Sequence, residues 1–259
     1  MNGPNITQWI ADPGKAATDD ASNKLAQRAL TSQSIARMSE TTSLAPNQLE
    51  QNRLIHREAS SREHSDAFRE IRTRLLELGG EHNFVTLVVP VSPGSGSSFV
   101  ARNLATAFAF DEARTSLLID CNLRYPSQHS ALGIAADGSG LIDFLEQPTL
   151  GIKSILHRTG IPRLRLIPAG SARENGGEYF SSFHMRTAID SLRSRYQDRY
   201  LFLDGPAIKG SPDARILSDL VDYVVVVAGY GRDTAATINQ AAANFDPGKL
   251  AGVVFNHAP

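Results

Sequence analysis

The segment Pro93-Gly94-Ser95-Gly96-Ser97-Ser98 lies between an apolar run, Phe84 to Val91, and a helix-forming run, Ser98 to Phe110. A glycine-rich turn from strand to helix suits phosphate. Backbone N–H groups at a helix start point at the oxyanion, and glycine lets the backbone come close. Loops of this kind add a lysine against the outer phosphate oxygens, but here Ser97 holds that place. Two later segments end apolar runs in a carboxylate. Leu117-Leu118-Ile119 leads into Asp120-Cys121-Asn122-Leu123-Arg124-Tyr125-Pro126, and Leu201-Phe202-Leu203 leads into Asp204-Gly205-Pro206. An aspartate at the end of a buried strand is placed to hold Mg²⁺, commonly through water. One such aspartate is an ordinary turn residue. Two of them after a glycine-rich loop, in this order, form a constellation.

Positioning these loops together takes a particular architecture. Strand candidates are Phe84–Val91, Ser116–Asp120, Leu164–Pro168, Tyr200–Asp204, Tyr223–Ala228 and Ala251–Asn256. Helix candidates are Ser98–Phe110, Leu141–Glu146, Glu178–Arg195, Pro212–Leu220 and Thr234–Phe245. The strands are near-continuous apolar runs, as expected of strands covered on both faces. The fold class that follows is α/β, a mainly parallel sheet with helices on both faces. In such sheets ligands bind beyond the carboxyl ends of the strands, where the three loops fall. Before them, Phe68, Ile71, Leu75 and Leu78 recur at helical spacing, and Gly79-Gly80 ends that helix.

Residues 1 to about 60 are rich in Ser, Thr, Ala, Asn and Gln. Such a segment buries too little apolar surface to offset chain entropy. It is expected to be a disordered polar segment, with a transient helix over 23–38 and with Trp9-Ile10 as an incidental apolar pair or a short docking anchor. The domain proper is then 61–259. The formal net charge of −1 favours neither nucleic acid nor an anionic membrane. Cys121 is the only cysteine, and the seven histidines show no ligand spacing. The N-terminus has no charged-then-apolar pattern, and no apolar run approaches the ~20 residues that span a bilayer. A cytoplasmic protein is expected.

The same residues carry a family resemblance. The Ser/Pro-rich loop, then Asn103-Leu104-Ala105, then Leu-Leu-Ile-Asp-Cys-Asn-Leu-Arg-Tyr-Pro and Leu-Asp-Gly-Pro, resembles the bacterial tyrosine kinases (BY-kinases) of polysaccharide assembly. These belong to the deviant-Walker ATPases related to MinD and ParA. The likeness runs from Gln48 to Pro259. It includes Asn52-Arg53-Leu54-Ile55, Asp66 to Thr73, Gly140-Leu141, Phe144-Leu145, Leu166 to Gly170, Arg199-Tyr200 and the closing Gly252-Val253-Val254-Phe255-Asn256. It implies a P-loop fold. It also implies ATP or ADP at Pro93, Gly94, Ser95, Gly96, Ser97, Ser98 and Asn256, and Mg²⁺, if bound, at Ser98, Asp120 and Asp204.

The chain departs from the family at its chemistry. The family's loop resembles Pro-Gly-Glu-Gly-Lys-Ser-Thr; Pro93, Gly94, Gly96 and Ser98 match. Ser95 replaces a dispensable acid, Ser97 the phosphate lysine and Phe99 the threonine. The second motif has two aspartates in the family; Asp120 matches the first, and Asn122 replaces the other. In the third, Asp204 and Pro206 match, and Ala207 replaces a proline. The sequence ends at His257-Ala258-Pro259, and the family's tyrosine-rich tail is not expected here. The lysines beyond residue 60 are Lys153, Lys209 and Lys249. Of these only Lys209 follows a candidate site strand. Arg124 is a further cation for phosphate or a partner, while Arg102 is expected on an exposed helix face.

The expectation is a BY-kinase-like protein of exopolysaccharide or capsule biosynthesis and export that has lost its chemistry. It would regulate or scaffold a membrane co-polymerase, the chain-length protein, and sit at the inner membrane through that partner. The alternative is an active ATP-binding kinase or ATPase with a substitute cation. A MinD/ParA-like positioning ATPase fits less well, because those proteins keep the lysine. Asp66, Arg69 and Arg72, spaced three apart, match the family's Glu-x-x-Arg-x-x-Arg helix. They imply a head-to-tail ring contact, against the plainer reading of a solvated charged face.

Overall fold

Six of the strands are parallel, and their side chains alternate between two apolar layers. The computed structural model describes residues 44–56, 62–80, 82–135, 139–196 and 198–256. The main strands are β1 (Val85–Pro90), β2 (Thr115–Asp120), β4 (Leu164–Ile167), β5 (Arg199–Asp204), β6 (Tyr223–Gly229) and β7 (Leu250–Asn256); β3 (His157–Arg158) pairs antiparallel with β4. The sheet order is β3-β4-β2-β5-β1-β6-β7. All residues of β1, β2, β4 and β5 are buried. Leu87, Leu117, Ile119, Leu201, Leu203 and Val226 face one layer. Val88, Leu118, Phe202, Val225 and Val227 face the other. That is the period of two expected of strands sandwiched between helices.

Helix α3 (Ser97–Ala109) crosses the middle of the sheet and is itself covered by α2 (Arg62–Gly79). Phe84, Phe108, Tyr200 and Phe202 meet beneath it, with ring centroids 4.7 to 5.9 Å apart. The remaining helices are α1 (Pro46–Gln51), α4 (Gln128–Ala131), α5 (Leu141–Glu146), α6 (Gly177–Phe180), α7 (Phe183–Ser194), α8 (Asp213–Ser218) and α9 (Ala235–Ala242). Among the described residues, no helix is long and apolar enough to cross a membrane.

Three expectations change. The single helix over Glu178–Arg195 is two helices. Ser182 stops α6 and caps α7, its hydroxyl accepting the Met185 N–H at 3.1 Å. Serine competes for backbone donors and so favours caps over helix interiors. The small elements β3, α1 and α4 were not foreseen. The polar segment does not run to residue 60. Residues 44–56 dock on the domain, with Leu54 and Ile55 each 3% exposed and the Leu44 N–H bonded to the Gly160 carbonyl. The expectations for 1–43, including the helix over 23–38 and the Trp9-Ile10 anchor, lie outside the described residues.

Asn103 ties that docked segment to α3. Its Oδ1 accepts the Ile55 N–H at 2.7 Å, and its Nδ2 donates to the carbonyls of Arg53 and Phe99 at 3.0 and 3.1 Å. Asn103 is fully buried, so no water replaces a lost bond. Asn103→Ala is expected to destabilise the fold by about 2–4 kcal/mol, the cost of leaving buried backbone groups unpaired. Urea denaturation checks the magnitude, and faster amide exchange at Ile55 checks the location.

Candidate functional site

Strands β2, β5 and β1 are neighbours in the sheet, so their carboxyl ends converge. The register sets Asp120 beside Asp204, and Asp204 beside Val88. The glycine-rich loop leaves the end of β1 above them. Gly94 and Gly96 have φ of +83° and +89°, a left-handed backbone that favours glycine. Gly96 is the residue from which α3 starts. A left-handed glycine turn that leads into a helix start is a backbone geometry that suits phosphate.

The loop is clamped from outside. Ser95 is fully buried, its Oγ 2.7 Å from Asp233 Oδ2 and 2.8 Å from the Ser92 carbonyl. Asp233 Oδ2 also accepts the Gly229 N–H at 2.8 Å. Asn256 Nδ2 donates to the Ser95 carbonyl at 3.0 Å. The Arg232 Nη1 donates to the Pro93 carbonyl at 3.3 Å, and a Cβ on Gly94 would collide with that guanidinium. Ser95 and Asn256, expected at nucleotide, thus hold the loop's shape.

A cavity of about 310 Å³ opens beside the loop. Pro93, Gly94, Gly96, Ser97 and Ser98 form one wall, Asn122 to Tyr125 another, and Lys209 a third with its neighbours. Ser97 is only 4% exposed, in the first turn of α3. Neither Asp120 nor Asp204 lines this cavity. Arg124 does, but Glu174 holds it through its carboxylate at 3.2 Å and its carbonyl at 3.0 Å. Lys209 is exposed.

Both aspartates are fully buried. Asp120 Oδ1 accepts the Asn122 N–H at 3.2 Å, and its Oδ2 accepts those of Ser127 and Gln128 at 3.0 Å each. It organises its own loop. Asp204 Oδ2 accepts from Gln128 Nε2 at 2.6 Å, while Oδ1 has no hydrogen-bond partner among the described residues. Burial, and then the Asp120 charge, push the Asp204 carboxyl up to about 7, although Gln128, Ser98 and the Arg102 charge pull the other way. Burial also raises Asp120, against its three backbone donors.

Arg102 is not on an exposed face. It is 7% exposed and bonds Gln128 Oε1 through Nη1 at 3.2 Å, because its place on α3 faces the sheet ends rather than solvent. Asp66 and Arg69 pair at 2.9 Å on the outer face of α2, both more than half exposed. Arg72 turns away from that ridge and donates to the Ala107 carbonyl at 3.1 Å. Reading the sequence missed Gln128, Arg232 and Asp233. Only Arg102 left a signal, as a lone charge within Val100-Ala101-Arg102-Asn103-Leu104-Ala105.

The raised Asp204 pKa sets a pH dependence. The folded state holds this proton more tightly than the unfolded chain, whose carboxyl titrates near 3.8. That contribution to stability is complete below about 3.8 and is lost as pH rises through about 7. Asp204→Asn keeps an acceptor for Gln128 and removes the charge. It is expected to flatten the dependence and to exceed the wild type at pH 8 by an amount on the order of a few kcal/mol. Denaturation midpoints across pH 4 to 8 read this directly.

No family model matches the chain. It is 31% identical over 194 residues to the tyrosine-protein kinase wzc of Salmonella typhimurium, covering 74% of this chain and 26% of that protein. It is 25% identical over 191 residues to the tyrosine-protein kinase CpsD of Streptococcus agalactiae, covering 73% of this chain and 81% of that protein. The chain thus spans about a quarter of the length of the wzc relative and most of CpsD. Among solved structures, the kinase domain of Escherichia coli tyrosine kinase ETK superposes with a TM-score of 0.71 at 21% identity, over 84% of this chain and 82% of that one. Sequence likeness across about three quarters of the chain and a shared fold agree, and the chain belongs to the bacterial tyrosine kinases (BY-kinases), whose P-loop domain it carries.

Proposed function

We propose that this domain is a catalytically degenerate BY-kinase that regulates or scaffolds a membrane polysaccharide co-polymerase in exopolysaccharide or capsule export. One observation carries the reading: a buried serine, Ser97, stands where the loop's phosphate lysine belongs. A charge pair at ~4 Å and an effective dielectric of ~20 is worth about 4 kcal/mol before solvent compensation. Losing it weakens nucleotide binding by roughly one to three decades at ~1.4 kcal/mol each. Transfer suffers more, because phosphoryl transfer rests on positioning and charge stabilisation. Asn122 at the cavity wall also has no carboxylate to take a proton from a hydroxyl.

ATP or ADP in this cleft would rest on the backbone of Gly94 to Ser98, with weak affinity. The partner role draws on the family resemblance. The paired Asp66 and Arg69 are the surface we assign to a ring contact, homomeric or with a related kinase. A second reading, an active kinase or ATPase with a substitute cation, draws on Lys209 and Arg124 at the cleft. Arg124 is already engaged by Glu174, which favours the first reading.

Incubation with γ-labelled ATP and Mg²⁺, alone and with a tyrosine-bearing related kinase, separates the two. No transfer to protein or water is expected; turnover that Lys209→Ala or Arg124→Ala abolishes supports the second reading instead. Ser97→Lys is expected to tighten ATP binding by roughly 10- to 1000-fold in calorimetry. An unchanged affinity would mean that the loop does not cradle phosphate.

A further inference from the structure

Helix α3 carries a single charged residue, Arg102, and it is buried against the sheet ends. Its Nη1 donates to Gln128 Oε1 at 3.2 Å. Gln128 is fully buried and turns its Nε2 the other way, to Asp204 Oδ2 at 2.6 Å and the Ser98 carbonyl at 3.0 Å. One carboxamide therefore bridges a guanidinium to the Asp204 carboxylate. Asp120 has both oxygens taken by backbone N–H groups.

A small hard dication needs several oxygens turned toward it and keeps most of its water. This corner offers little of either. N–H groups reach Asp204 Oδ2 and both oxygens of Asp120, and a resident cation stands behind Gln128. The free oxygen, Asp204 Oδ1, is sealed from solvent. The cavity reaches Ser98 and Asn122 but neither carboxylate.

We infer that Arg102, acting through Gln128, is a built-in counter-charge that replaces a divalent cation at the Asp120–Asp204 corner, so that the domain excludes Mg²⁺ there. Arg102 and Gln128 are then the residues that set ligand choice, and a phosphate ligand in the cleft binds without metal. The inference rests on the reading of this cleft as a phosphate-loop site, but not on the loss of phosphoryl transfer. The two therefore fail separately: labelled phosphate transferred without Asp204-dependent metal binding overturns the degenerate-kinase reading and leaves this inference standing.

The test follows free Mn²⁺ by electron paramagnetic resonance while the full chain is titrated at millimolar metal. The wild type and Asp204→Asn are expected to bind equally little. The double variant Arg102→Ala with Gln128→Leu is expected to gain one Mn²⁺, lost again when Asp204→Asn is added. Arg102→Lys keeps the charge and is expected to behave as wild type. Mg²⁺ is likewise expected to leave the wild-type Tm unmoved. In the double variant, Mg²⁺ at about 100 times its Kd adds about 2.7 kcal/mol, a Tm rise of roughly 5–10 °C. Wild-type Mn²⁺ binding that Asp204→Asn abolishes overturns the inference, and so does a folded double variant that binds none. If the double variant does not fold, the wild type against Asp204→Asn decides alone.

Discussion

Two carboxylates buried side by side at the ends of adjacent parallel strands are the constraint to which the surrounding structure answers. Burying like charges is costly unless hydrogen bonds and opposite charge compensate. The backbone of the loop after β2 folds back to satisfy Asp120. Gln128 reaches across to Asp204, and Arg102 comes in from α3 behind it. These contacts in turn fix where α4 starts and how α3 lies over the sheet. The local folding of three segments follows from one electrostatic problem.

The cradle and the charge are encoded differently, which is why one persists without the other. The cradle needs only a left-handed backbone at Gly94 and Gly96 and a clamp on Ser95. Those requirements are met by small residues and by main-chain groups. The charge needs one long cationic side chain at one position, and Ser97 removes it without disturbing the turn. The turn keeps its shape through Gly94, Gly96 and the clamp on Ser95, none of which needs a cation at position 97.

The fold and the three loops were legible because buried parallel strands read as unbroken apolar runs, and each loop follows such a run. The convergence of Asp120 with Asp204 is a matter of register, which the strand order supplies. What could not be read depends on distant pairings. Nothing near Ser95 announces Asp233, and nothing near Arg102 announces Gln128. The rule that charges on helices face water failed at Arg102 because another buried charge lay within reach. The docked residues 44–56 were hidden by averaging: Leu54 and Ile55 are two apolar residues in a long polar stretch, and α1 itself buries none.

That docked stretch has a mechanical consequence. It is pinned at Leu44 to the turn before β4 and at Arg53 and Ile55 to Asn103, nearly two turns along the helix that Gly96 caps. A pull on the chain upstream of residue 44 is borne first by the pin at Gly160 and next by the helix rooted in the glycine-rich turn. The docked segment and the glycine-rich turn are thus attached to one and the same helix, one at its middle and the other at its start.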